Sequence, residues 1–190
     1  WNLGPATYSH AIHTQLINGV FRGTTGATGE NPTQNMVDRF ETAWGDPLYS
    51  ATERQAAEAL GHYSEQNPYV NRDPRLDIVV IYNTQNVTGY GPAQIYYEMV
   101  NGIPEYGELL NQSFPGITQT GYYQRKIWGE QSVKNRITSN YTDPLIRLTE
   151  LYLNYAEAAN EAYGPSVPAP GSTMSAVDAI NKIRNRVGMV

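Results

Sequence analysis

Apolar residues recur every three or four positions near the carboxyl end of the chain, which predicts one long helix. Asp143 suits the N-cap, and Pro144 suits the first helical position because its missing N–H is not needed there. The helix should end at Gly164, which can adopt a left-handed conformation. The small side chains of Ala156 and Ala159 would let a second helix approach closely along the apolar face.

That second helix is predicted after a loop rich in Pro, Gly and Ser. Ser175 and Asp178 have the spacing of a capping box, and Gly188 follows the last apolar position of the pattern. Residues 143–189 are therefore predicted to form a helical hairpin.

Two further helical patterns precede the middle of the chain. Asn31 and Pro32 predict the start of one helix, and Thr52 with Gln55 predict a capping box for a second, Ala-rich helix that ends near Gly61. The apolar stripe of the first of these helices consists of Met36, Val37, Phe40 and Trp44, and it ends at Gly45.

The periodicity changes after this region, and strands are expected. The β-branched run at residues 76–82 predicts a strand, and residues 94–100 and 121–128 are two further candidates. Turn-rich stretches with Gly, Pro and Asn lie between them, on a surface where functional residues are often found. The predicted fold class is mainly α with loop-rich, short-strand insertions.

Composition narrows the classes of function. The 190 residues are 40% hydrophobic, which is enough for one substantial core or two small ones. A net charge of −5 with 13 Lys and Arg residues gives no broad basic surface, so nucleic acid is not an expected partner. The absence of cysteine excludes disulfides, thiolate metal sites and cysteine nucleophiles. Tyrosine is abundant, with 15 residues, and its flat ring with a polar tip suits recognition surfaces as well as cores.

No catalytic or cofactor motif is evident. Asp38 and Glu41 would share one helical face instead of facing each other across a cleft, as a glycosidase needs. His10 and His13 lack the glutamate of a zinc-protease motif, and residues 23–29 lack the Lys-Ser/Thr ending of a phosphate-binding loop. We therefore expect a protein that is not an enzyme, with no cofactor and no metal.

Five short sequences resemble one known family in the same order. The sequences are PTQNMVD at 32–38, NRDPRL at 71–76 leading into IYN at 81–83, TGYYQRK at 120–126, YLNYAEA at 152–158 and AINKIRNRVG at 179–188. Together they resemble the SusD/RagB family of outer-membrane nutrient-binding lipoproteins. Within the second motif, we expect Arg72, Asp73 and Arg75 to hold a turn through ion pairs and backbone hydrogen bonds.

The resemblance implies a SusD-like fold with tetratricopeptide-like helical hairpins as a scaffold. The chain would then be one incomplete domain over residues 1–190, its C-terminal portion, with a helical and loop region at 1–66, a loop and short-strand region at 67–140 and the hairpin at 143–189. The family's signal peptide, lipid-bearing cysteine and first helices would lie upstream of Trp1.

The resemblance also implies non-catalytic binding of oligosaccharide or polysaccharide on the outward side of the outer membrane. The glycan would pass to a SusC-like TonB-dependent transporter, and the membrane would be reached only through a lipid anchor outside this chain. Family members capture sugars with exposed aromatic residues, and none of these belongs to the shared motifs. From their positions in or beside loops, we expect Trp1, Tyr8, Trp44 and Tyr90 to stack on glycan. Two alternatives remain: a peptide-binding receptor of the RagB type, and a helical protein-interaction scaffold without a small ligand.

Overall fold

A computed structural model describes residues 31–87, 91–107, 117–125 and 145–189 of the chain. The helices in this part are α1 (Gln34–Val37), α2 (Ala51–Ala59), α3 (Arg75–Val79), α4 (Leu148–Tyr163) and α5 (Ala176–Asn185). The strands are β1 (Val80–Ile81), β2 (Asn86–Val87), β3 (Gly91–Pro92), β4 (Tyr97–Val100), β5 (Ile103–Tyr106) and β6 (Tyr123–Gln124). Helices and short strands thus coexist, as the fold class predicts.

The chain divides into two compact units. The first unit combines Trp1–Arg39 with Arg75–Thr142, and the second unit combines Phe40–Pro74 with Asp143–Val190. Among the described residues, no helix is both long enough and apolar enough to cross a membrane.

The described residues of the first unit form three antiparallel strand pairs, which are β1 with β6, β2 with β3, and β4 with β5. Its buried core lies between the first two pairs and is made of Ile81, Val87, Ala93, Ile95 and Tyr123, with Ile117 packed against them. The hydroxyl of Tyr122, the residue before β6, donates to Oε1 of Gln34 in α1 at 2.6 Å.

The strand predicted at residues 76–82 is wrong over most of its length. Residues Arg75–Val79 form α3, and only Val80–Ile81 extend as β1. The helical turn brings Leu76 and Val80, four positions apart, into the interior, where both are fully buried. Tertiary burial therefore overrides the β-propensity of the run.

The second unit contains the predicted helical hairpin. Ala156 and Ala159 on α4 pack against Ala176 and Ala179 on α5, and all four side chains are buried. The capping box is confirmed, because Ser175 accepts from the backbone N–H of Asp178 while the Asp178 carboxylate accepts from that of Ser175. Small residues at the contact allow the close approach that the sequence predicted.

The predicted start of α4 is wrong, whereas its end is confirmed. The helix begins at Leu148, with Arg147 as an N-cap that makes no side-chain hydrogen bond. Asp143 and Pro144 lie outside the described residues. Leu145 is 91% exposed, so an additional turn there would gain none of the packing from which most helical stability comes. Gly164 ends the helix with a φ of 84°.

The helices between residues 31 and 61 also differ from the prediction. The first is the single turn α1, capped by Thr33, and Trp44 lies beyond it in a loop. The second, α2, is capped by Ser50 and Glu53 instead of Thr52 and Gln55. The chain leaves the helical path before Thr42, which pairs with Arg72 in a β-bridge.

Candidate functional site

The second unit carries an exposed tryptophan that is backed by a histidine. The rings of Trp44 and His62 stack with centroids 4.2 Å apart and planes 12° from parallel. His62 therefore covers one face of the indole. Trp44 nevertheless remains 47% exposed. We call Trp44 and His62 together the aromatic platform.

A tight loop fixes the position of Trp44. The backbone N–H of Thr42 donates to the carbonyl of Asp46 at 3.0 Å, and that of Gly45 donates to the carbonyl of Thr42 at 2.9 Å. The loop requires a φ of 91° at Gly45, which favours glycine. The N–H of Ala43 donates to the carbonyl of Asn71 at 2.7 Å, so a neighbouring segment also holds the loop.

A chain of polar contacts fixes the other half of the platform. Nδ1 of His62 lies 2.8 Å from Oδ2 of Asp46, and the hydroxyl of Thr42 donates to the same oxygen at 2.5 Å. The hydroxyl of Thr42 also accepts from the N–H of Asp46 at 3.0 Å. The Thr42 hydrogen bond, followed by the hydrogen bond and charge of His62, lowers the pKa of Asp46 below its usual value. Asp46 is thus held as an acceptor that orients the imidazole.

The motif arginine lies in the same segment and is structural. Arg72 is almost fully buried and donates to the carbonyls of Phe40 and Pro68, each at 2.7 Å. Its guanidinium lies 5.9 Å from the centroid of the Tyr63 ring. Burial, together with the neighbouring Glu65 carboxylate, raises the pKa of Tyr63 to about 12. The expected backbone hydrogen bonds of Arg72 are confirmed.

The platform offers a flat apolar surface that is already rigid. A pyranose ring presents apolar C–H groups on its faces and hydroxyl groups at its rim, so an indole can cover the face while polar groups meet the rim. Nδ1 of His62 is engaged by Asp46, so Nε2 is the ring nitrogen that could meet such a hydroxyl. The part of the chain described contains no cluster of three or more His, Asp or Glu side chains able to hold a metal.

Of the four residues expected to contact ligand, Trp44 is the one that the structure describes. Trp1, Tyr8 and Tyr90 lie outside the described residues, and their role stays a prediction. The sequence pattern assigned Trp44 to a helical stripe, but the loop removes it from any helix and exposes it. His62 was not expected as a site residue, because nothing in the local pattern links it to Trp44.

A second group of exposed aromatic residues lies in the first unit. Tyr97 on β4 and Tyr106 on β5 face each other across the strand pair, with ring centroids 5.2 Å apart and planes tilted by 50°. Their surroundings differ from those of the aromatic platform, since no imidazole or ordered loop backs them in the described residues.

A family model and a solved structure both match this chain. A sequence model of the SusD family matches residues 17–190. The fold is similar to the crystal structure of a SusD-like protein from Bacteroides fragilis, with a TM-score of 0.52 and 23% sequence identity. The match covers 97% of this chain and 34% of the Bacteroides protein, so the chain spans 34% of that protein's length. No curated protein matches the chain in sequence.

Proposed function

Because the chain belongs to the SusD family, we propose that it binds glycan without cleaving it, with Trp44 as a principal contact. The observation that supports this proposal is the half-exposed indole of Trp44 stacked on His62. An aromatic ring that is exposed and yet held in one orientation loses little conformational entropy when a ligand covers it.

The size of the expected contribution can be estimated from area. If a sugar ring covers roughly 60 Å² of the accessible indole, about 1.5 kcal/mol of binding free energy is gained at 25 cal/mol per Å². This corresponds to roughly a tenfold change in Kd. Removal of the indole ring should therefore raise Kd by a measurable amount without abolishing binding.

The further parts of the proposal concern the cellular setting. The protein would act on the outward side of the outer membrane and deliver captured oligosaccharide to a SusC-like TonB-dependent transporter. Tetratricopeptide-like hairpins, of which α4 and α5 would be one, would support the ligand-facing loops. Family membership supports the cellular setting and the helical-hairpin scaffold. The division of the chain into regions at 1–66, 67–140 and 143–189 stays a prediction.

Isothermal titration of the chain against a panel of polysaccharides tests the binding proposal. Trp44→Ala should weaken binding of the best ligand roughly tenfold, as the area estimate requires. Tyr163→Ala is the matched control, because Tyr163 is 45% exposed and lies at the end of α4. Trp1→Ala, Tyr8→Ala and Tyr90→Ala test the remaining predicted contacts in the same assay.

Each part of the proposal has its own contradicting result. Appearance of shortened glycans during incubation would refute the absence of catalysis. Equal affinity of Trp44→Ala and Tyr163→Ala would remove Trp44 from the site. Displacement of a bound glycan by peptides, or tighter binding of peptides alone, would favour the peptide-binding alternative. No binding of either class would favour a protein-interaction scaffold.

A further inference from the structure

The hairpin of β4 and β5 in the first unit presents both of its faces to solvent. All four residues of β5 are exposed, and in β4 only Val100 is half-buried. A two-stranded hairpin with no covered face is only marginally stable by itself in water. A partner that covers this hairpin would therefore stabilise it.

One face of the hairpin is apolar. The register places Tyr97 opposite Tyr106 and Met99 opposite Pro104, and alternate residues of a strand share one face. Tyr97 and Met99 are each 56% exposed. The hydroxyl of Tyr97 lies 3.0 Å from the sulfur of Met99, which confirms that the two side chains are neighbours. We call these four residues the apolar face.

The other face is acidic. Glu98 lies directly opposite Glu105, and like charges at opposed positions of a strand pair destabilise the pairing. Both carboxylates are exposed, and the remaining residues of this face, Val100 and Ile103, are uncharged. A basic side chain placed beside Glu98 would offset this repulsion with an attraction. We call this side the acidic face.

Along one edge of the hairpin, backbone groups of β4 point away from β5. The N–H of Gly107 donates to the carbonyl of Tyr96 at 2.9 Å, which makes these residues a hydrogen-bonded pair. Since bonded and non-bonded pairs alternate in antiparallel strands, the backbone groups of Tyr97 and Met99 point away from β5. In the part of the chain that the structure describes, β4 and β5 have no third strand beside them.

The opposite edge is blocked. Pro104 occupies a non-bonded position of β5, so an N–H that would point outward is missing there. Proline at this position is a common means of preventing strand addition. The outer edge of β4, in contrast, has an N–H and a carbonyl at both Tyr97 and Met99.

We propose that the outer edge of β4 binds an extended segment of a partner polypeptide as a third strand. Alternate side chains of that segment would be basic beside the acidic face and apolar beside the apolar face. The two-residue period of an added strand fits this division of the hairpin, and the backbone groups of Tyr97 and Met99 supply the hydrogen bonds. The interaction depends on residues of the first unit, whereas the aromatic platform belongs to the second unit.

The probe for this proposal is an acetylated and amidated peptide of alternating lysine and valine, titrated into the whole chain by calorimetry. A blocked peptide of the same composition, with all lysines before all valines, is the comparison. The alternating peptide should bind roughly fivefold more tightly or better, because it alone places every lysine on one face of a strand. Its affinity should fall as salt is added.

Variants separate the charge contribution from the backbone contribution. Glu98→Gln with Glu105→Gln should weaken the alternating peptide roughly two- to fivefold, because Glu98 borders the added strand and Glu105 acts from one strand farther away. The control is Glu157→Gln with Glu161→Gln, which changes the net charge equally at exposed positions of α4. Met99→Pro should abolish binding, since it removes an outward N–H without breaking the bonds to β5. If Met99→Pro fails to fold, an N-methylated alternating peptide tests the same hydrogen bonds on the wild-type chain.

Several results would overturn the proposal. These are equal binding of the alternating and blocked peptides, equal loss in the two glutamine double variants, or full binding of the N-methylated peptide. Loss of polysaccharide binding in Tyr97→Ala, with peptide binding unchanged, would instead assign the apolar face to glycan.

Discussion

Nη1 of Arg184 donates a hydrogen bond of 2.6 Å to Oε2 of Glu41. The pair joins the last helix of the chain to the segment that contains Trp44, both within the second unit. The side chains of Arg184 and Glu41 are 20% and 33% exposed, so water and salt screen their attraction less than that of a fully exposed pair. The pair therefore links the C-terminal hairpin to the loop that holds the aromatic platform.

We expect a double-mutant cycle with Glu41→Gln and Arg184→Met to give a coupling energy of about 1 kcal/mol in urea unfolding. The Arg54 and Glu65 pair is the control, because its atoms lie 2.9 Å apart but Glu65 is 59% exposed. The coupling energy of this control pair should be only roughly 0.3 kcal/mol. Equal coupling in the two pairs would mean that burial of the Arg184 pair contributes nothing.

The stacking of His62 on Trp44 predicts a change in the solvent access of the indole. In a chain with Trp1→Phe and Trp128→Phe, Trp44 is the only remaining tryptophan. His62→Ala should raise the acrylamide quenching constant of its fluorescence, because the covered face becomes accessible. His62→Phe should keep the constant near its original value. A quenching constant that does not change in His62→Ala would show that the two rings are apart in solution.

The hydrogen bond from Thr42 to Asp46 predicts a pH-dependent stability. Because the pKa of Asp46 is lowered from 3.8, its ionised form stabilises the fold above that pH, and this stabilisation is lost as the pH falls through the folded-state pKa. Thr42→Val should lower the free energy of unfolding by about 1–2 kcal/mol at neutral pH. The difference from wild type should shrink in acid. Thr52→Val, at an exposed position of α2, should have little effect at any pH.

The alanine contact between α4 and α5 leaves no room for a larger side chain. Ala179 is fully buried against this contact. Ala179→Leu should therefore lower the free energy of unfolding by about 1–3 kcal/mol, as overpacking of a close contact typically does. Val177→Leu, on the same helix but 43% exposed, is the control and should be nearly neutral. Thermal unfolding followed by circular dichroism measures both, and equal stability of the two variants would contradict the packing.

Gly107, at the base of the β4–β5 hairpin, lies where a side chain would not fit. A Cβ at this position would lie 2.3 Å from the carbonyl oxygen of Gln94 and 2.9 Å from a ring carbon of Tyr96. Since the oxygen belongs to the backbone, Gly107→Ala should displace the chain and cost about 1–3 kcal/mol. Glu105→Ala, exposed on β5, is the control. Hydrogen exchange should show faster exchange of the hairpin amides in Gly107→Ala only.

Local chemistry explains why some elements were predictable. Ser175 with Asp178 and the glycine at 164 fix the ends of two helices through interactions among residues a few positions apart. Ala156 and Ala159 mark the contact face because their small size matters wherever a helix packs closely. The family could be inferred from the sequence for a similar reason, since its five motifs are short continuous sequences. The match over residues 17–190 confirms the family.

Other predictions failed because the deciding contacts come from distant positions. The run at residues 76–82 has the composition of a strand, yet α3 forms there, and Leu76 and Val80 are both fully buried. The stripe that ends at Trp44 has helical spacing, yet the bridge between Thr42 and Arg72 draws the chain out of the helix. In both cases burial and long-range pairing outweigh the intrinsic secondary-structure propensity, which is worth only roughly 0.5 kcal/mol per residue.

The sequence by itself determined the Ser175–Asp178 capping box, the end of α4 at Gly164, the alanine contact of the C-terminal hairpin and the family, because each depends on neighbouring residues or on continuous motifs. That Trp44 contacts a ligand stays a prediction from the sequence. Only the tertiary structure decided that His62 supports that ring and that Asp46 and Thr42 orient His62. Those contacts join separate segments of the chain, and their geometry exists only after the segments have packed together.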